Sequence, residues 1–216
     1  MKQILLFFIE HIQALEITLG ILTAYWFIKN CILSWHTVGS SSMIPNILPG
    51  SVQVVNGLAY SLKLPFLRHT LIDWQHPKRG DVVMFYCPDK KYRLLGKRII
   101  GTPGDHVRIE LGTPYINGKC LIDEDTPEEL KETLDKIKNK EEEVFTVWEK
   151  FGGRHWQTLR DAGDLDHEQE IINMKVPEGC YFVMGDNREH STDSREFGIV
   201  QRRLIYAKLN YNASEL

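Results

Sequence analysis

The chain has 216 residues, 43% hydrophobic and 25% charged, which is enough for one folded domain with an attached segment and excludes a disordered protein. Its formal charge of −3, with Lys and Arg scattered along the sequence, provides no basic field for nucleic acid. The four cysteines form no C-x-x-C pair and no zinc-like Cys/His spacing, and Cys87, Cys120 and Cys180 leave room for one disulfide.

At the N-terminus, Glu10, Gln13 and Glu16 recur every three residues among Leu, Ile and Phe, so Ile4 to Glu16 reads as an amphipathic surface helix. From Ile17 to Trp35 the chain is apolar except for Lys29 and Asn30. As a helix this stretch would be about 28 Å long, enough to cross a bilayer core. Tyr25, Trp26 and Trp35 suit the interface, and Lys29 can reach the headgroups. Residues 1–36 are therefore expected to be an amphipathic segment and membrane anchor.

After His36 the pattern changes to short runs rich in Val, Ile, Phe and Tyr: 51–56, 81–86, 97–101, 106–110, 180–186 and 204–211. Turn signals separate them, among them Pro103-Gly104-Asp105 and Asn117-Gly118. This predicts a mainly β domain over 37–120 and 171–216. Residues 121–170 read as an inserted lobe. Glu- and Lys-rich 123–144 predicts an exposed helix starting at Pro127, and 145–159 has the form of a hairpin around Gly152-Gly153.

A serine hydroxyl needs a positioned base and an oxyanion hole to become a nucleophile. Gly39-Ser40-Ser41-Ser42-Met43-Ile44-Pro45 suits a tight turn presenting a hydroxyl, and Lys97 heads an apolar strand closing on a Pro-Gly-Asp turn. Each feature alone is ordinary. To act as a base near neutral pH, Lys97 must lose about two to three pH units from its normal value near 10.4, a shift that burial supplies.

Four blocks in order, SSSMIP with LPG (40–50), RGDVVMF (79–85), KRIIGTPGD (97–105) and GDNREHSTDSREFG (185–198), resemble the bacterial type I signal peptidases with their Ser-Lys dyad. The resemblance implies that Ser42 is the nucleophile and Lys97 the base, with the Ser40 hydroxyl and the Ser42 N–H holding the oxyanion. It makes Ser191 the partner of the lysine and Asp193 with Arg195 a bracing ion pair. Met43, Pro45, Gly185, Asp186, Asn187 and Arg188 would shape the site. Asn46 stands where the family usually has Thr, and Leu95-Gly96 where an aromatic and a β-branched residue are usual. His106 and His190 read as surface residues, since Lys97 fills the base position.

The implied activity is removal of signal peptides from exported preproteins at the outer face of the bacterial cytoplasmic membrane, by a single-pass enzyme whose β domain is a coiled β-barrel-like catalytic domain. Shallow apolar pockets would take small side chains at the first and third positions before the cut. Neither a cofactor nor an obligate protein partner is implied; the partners are the preprotein and the bilayer. The alternatives are a family member dedicated to a pilin or conjugation protein, and a catalytically silent, membrane-tethered export factor.

Overall fold

The computed structural model describes residues 2–27, 32–63, 70–89, 93–110, 112–123, 144–161 and 171–210, with side chains described from residue 11 in the first of these stretches and up to residue 26. Helix α1 (Lys2–Phe27) is continuous through the two segments that periodicity separates. It corrects the expected span. Leu33–Thr37 form strand β1, paired antiparallel with β2 (Val52–Asn56), so Ile17 to Trp35 is not one helix. A short apolar run fits a strand as well as a helix, and here the β2 edge supplies backbone partners. Among the described residues no helix is long and apolar enough to cross a membrane. Ile12, Leu15, Ile17, Leu19 and Ile21 nevertheless face outward from α1, each more than half exposed.

The remainder is mainly β, as expected. Strands β3 (Ser61–Lys63) and β4 (Thr70–Asp73) pair as a small ribbon. A seven-stranded sheet follows the order β1-β2-β15-β5-β6-β13-β14, using β5 (Val82–Tyr86), β6 (Leu94–Gly101), β13 (Cys180–Met184), β14 (Val200–Gln201) and β15 (Ile205–Asn210). A four-stranded sheet is ordered β12-β7-β8-β9, from β12 (Ile172–Lys175), β7 (His106–Glu110), β8 (Thr113–Ile116) and β9 (Lys119–Cys120). Cys87, Cys120 and Cys180 are all free thiols, so the disulfide their number allows is not formed.

Strands β10 (Val144–Phe151) and β11 (Arg154–Asp161) form the predicted hairpin, turning on Gly152 and Gly153, both at positive φ. Its inward face does not stop at a lobe boundary. Trp156 enters one core cluster with Val107, Ile109, Ile116, Phe182 and Met184, and Leu159 bridges in parallel to Asn187. The helix predicted from Pro127 and the stretch 162–170 lie outside the described residues. Two further clusters fill the molecule: one around Val83, Phe85, Ile99, Tyr181 and Val183, the other around Met43, Ile47, Val82, Met84 and Leu209.

Candidate active site

The loop between β1 and β2 carries Ser42. Val38 and Gly50 close it by a backbone bond of 2.7 Å, while buried Met43 and Ile47 pin it to the core. The Ile44–Pro45 peptide within this loop is cis. Strand pairing brings the second part of the site alongside. Register Met184↔Arg98 between β13 and β6 puts the segment beginning at Gly185 next to Lys97. That segment reaches across to the serine loop: the Asn187 N–H donates to the Ser42 carbonyl at 3.1 Å, and Asn187 Nδ2 donates to the Ser41 carbonyl at 3.2 Å.

Lys97 is 3% exposed, and its Nζ donates to Ser191 Oγ at 2.9 Å. Ser191 Oγ in turn donates to Asp193 Oδ2 at 2.9 Å. With its own proton committed to the carboxylate, the Ser191 oxygen offers Lys97 only a lone pair. Burial pulls the lysine pKa down to about 8, the Asp193 carboxylate opposing and the Arg195 guanidinium assisting. Ser40 Oγ lies 3.2 Å from Ser42 Oγ. Ser40, Ser42 and Lys97 all line one cavity of about 340 Å³.

Asp193 is the hub of the supporting frame. It accepts from Gly185 N at 2.9 Å, from Arg195 Nε at 2.9 Å and from Arg195 Nη2 at 2.8 Å, and it caps the short helix α2 (Ser194–Phe197). Its carboxyl is held below the usual range because Arg195 and these donors outweigh burial. Gly185 is demanded by space: an added Cβ would stand 2.2 Å from Ser191 Oγ and 2.6 Å from the Ser42 carbonyl oxygen. Asp186 forms a bidentate pair with Arg98, both bonds at 2.7 Å, and also accepts from Asn46 Nδ2 at 2.7 Å. Arg188 Nε donates to the Gly185 carbonyl at 3.1 Å, and its Nη2 to Glu149 at 2.6 Å.

A family model described as signal peptidase, peptidase S26, matches residues 9–212. The chain belongs to this family. The signal peptidase I of Bacillus caldolyticus is 30% identical over 194 residues, covering 86% of each chain. That of Pseudomonas aeruginosa is 32% identical over 159 residues, 73% of this chain and 53% of its own. That of Buchnera aphidicola subsp. Baizongia pistaciae is 28% identical over 223 residues, 88% and 72%. Membership makes the chain a serine peptidase of the signal-peptide-removing kind.

All twelve site residues expected from the resemblance lie on the serine loop, on β6 or on the segment after β13. His106 is exposed on β7, whereas His190 stands at the cavity rim with Asp161 at 3.3 Å. Sequence reasoning missed Arg98, Glu149, Trp156 and Gln157. Asn46, noted only as a departure, ties the serine loop to Asp186 and to the Gln157 carbonyl, each at 2.7 Å. Alternation along β10 held a signal for Glu149, since it shares the inward face with Val147 and a carboxylate there requires a buried partner.

Proposed function

We propose that this signal peptidase cuts exported preproteins with Ser42 as nucleophile and Lys97 as general base. The observation that carries the reading is the buried Lys97 amine, held by Ser191 at 2.9 Å in the cavity that Ser42 also lines. Neutral Lys97 takes the Ser42 proton, and Ser42 Oγ attacks the scissile carbonyl. The Ser42 N–H and Ser40 hydroxyl stabilise the oxyanion; removing one such donor lowers the rate on the order of 10²- to 10³-fold. Lys97 then passes its proton to the leaving amine and activates water to release the acyl-enzyme. Met43 and Pro45 shape the serine loop, and residues 185–188 the floor.

The outward apolar side chains of α1 support its role as the single anchor in the bacterial cytoplasmic membrane, with the β domain on the outer face. The enzymatic test is incubation of the detergent-solubilised full chain with a preprotein, wild type against Ser42→Ala, followed by sequencing of the new N-terminus. Cleavage by wild type alone is expected. Equal cleavage by a folded Ser42→Ala protein rules out this nucleophile.

A further inference from the structure

Ser42 and Lys97 stand on different elements, the loop after β1 and strand β6, and among the described residues no hydrogen bond joins Ser42 Oγ to Lys97 Nζ. Their separation is set by whatever ties that loop to that strand. One tie starts at Asn46, four residues beyond Ser42 on the same loop. Its Nδ2 donates to Asp186 Oδ2 and to the Gln157 carbonyl, each at 2.7 Å. Asp186, fully buried, accepts in turn from Arg98 Nε and Nη2, and Arg98 follows Lys97 directly on β6. A hydrogen-bonded path thus runs without a break from the loop of the serine to the strand of the lysine.

The junction suits an amide. Both neighbours of Asn46 are acceptors, and one nitrogen with two protons satisfies them together. A threonine hydroxyl, the usual occupant of this position in the family, has one proton for two acceptors. An aspartate would bring a third acceptor against the Asp186 carboxylate. The bond to ionised Asp186 is charge-assisted and therefore of the stronger kind. Asn187 supplies a second tie, to the Ser41 and Ser42 carbonyls, but Asn46 also reaches the hairpin, because Gln157 lies on β11.

We infer that Asn46 is a positioning residue for acylation, its amide fixing the serine loop through Asp186 and Arg98 at the distance from Lys97 that proton transfer requires. This rests on the Ser42–Lys97 reading above. The test measures kcat, KM and the single-turnover rate at saturating preprotein for the detergent-solubilised full chain, wild type against Asn46→Leu, Asn46→Thr and Asn46→Asp, with folding followed by circular dichroism. Asn46→Leu, which loses both donors at similar size, should lower kcat and the single-turnover rate together by about 10²-fold, the cost of misplacing a reacting group by about 1 Å. KM should stay within about threefold, and the acid limb of kcat/KM should stay near pH 8, because Ser191, Asp193 and Arg195 around Lys97 are untouched. Asn46→Thr, keeping one donor, should lose about tenfold and serves if Asn46→Leu does not fold. Asn46→Asp should lose most. A folded Asn46→Leu protein with kcat within threefold of wild type overturns the proposal. So does a loss carried by KM alone, which would make Asn46 a substrate contact, or a limb displaced by a full pH unit, which would mean general disruption of the lysine pocket. A wild-type chain that cuts no preprotein removes the signal-peptidase reading itself, whereas normal cleavage by both wild type and the variants removes only the role of Asn46.

Discussion

Replacing Asp193 by Asn should move the acid limb of activity to lower pH. Lys97 Nζ is linked to Asp193 Oδ2 through two 2.9 Å bonds, so the charges are at most about 5.8 Å apart. At an effective dielectric near 20, that separation is worth about 3 kcal/mol, or about two pH units. The carboxylate favours the ammonium, while Arg195 opposes it and remains in the variant. The Lys97 limb should therefore fall from about 8 to about 6. The assay is kcat/KM between pH 5 and 10, which reports the free enzyme's essential base. Asp193→Asn leaves Arg195 buried without its partner, a loss of about 3–5 kcal/mol, so activity is read below the melting temperature measured by circular dichroism. Removing both charges, Asp193→Asn with Arg195→Met, should return the limb toward its starting point. A single variant whose limb stays near 8 or rises would refute Lys97 as the titrating base under the influence of Asp193.

The same burial makes Lys97 a stability liability. Its folded pKa of about 8 lies below the ordinary lysine value of 10.5, so the unfolded chain binds more protons between these values and wild-type stability climbs as pH rises through that window. Lys97→Met should be about 3 kcal/mol more stable at pH 7 and lack the climb, as equilibrium denaturation at pH 7 and 10 would reveal. Gly185→Ala forces a Cβ into Ser191 Oγ and the Ser42 carbonyl, and kcat should drop by about 10²-fold or more; turnover like wild type would show that the loop adjusts freely. Glu149→Ala strands buried Arg188 and should destabilise by about 3–5 kcal/mol in a chemical melt. The apolar pair Glu149→Leu with Arg188→Met should recover most of that stability but not the activity, which separates positioning from fold stability.

The strands and the candidate site were legible for different reasons. Val-Ile alternation between Gly and Pro turns located strands 82–86, 106–110 and 205–210 and the 97–101 part of β6, because period-two patterning and turn chemistry are local properties. Leu33–Thr37 misled, since its apolar character continues that of α1 and only its pairing with Val52–Asn56 makes it a strand. Ser42, Lys97 and Ser191 were reachable through motif order. Arg98 was hidden beside Lys97: alternation sends the two side chains to opposite faces, one to Ser191 and the other to Asp186. Glu149 and Gln157 are more than a hundred residues from Ser42 in sequence, and only the hairpin register brings them under the site.

The hairpin explains how a lysine can stay desolvated next to charges that would relieve it. An ammonium on a flexible stem could swing toward Asp193 or water and regain a normal pKa. Preventing this requires that Ser191, Gly185 and Asp193 keep their places, and each is held from a different direction. Arg195 donates to the Arg188 and Ser191 carbonyls, Glu149 holds Arg188 from β10, and Arg160 of β11 pairs with Glu189 at 3.0 Å. Leu159 N donates to the Asp186 carbonyl at 2.8 Å, and Arg188 N to the Leu159 carbonyl at 3.0 Å, fixing the same loop through its backbone. Buried ion pairs add little stability compared with apolar packing, yet Arg98–Asp186, Arg188–Glu149, Arg160–Glu189 and Arg195–Asp193 surround residues 185–195. Apolar contacts could fill that space but would not fix direction. Hydrogen-bonded charges hold Ser191 at one angle to Lys97, and that angle is what the proposed Ser42–Lys97 dyad, without a third, base-orienting carboxylate on the lysine, requires.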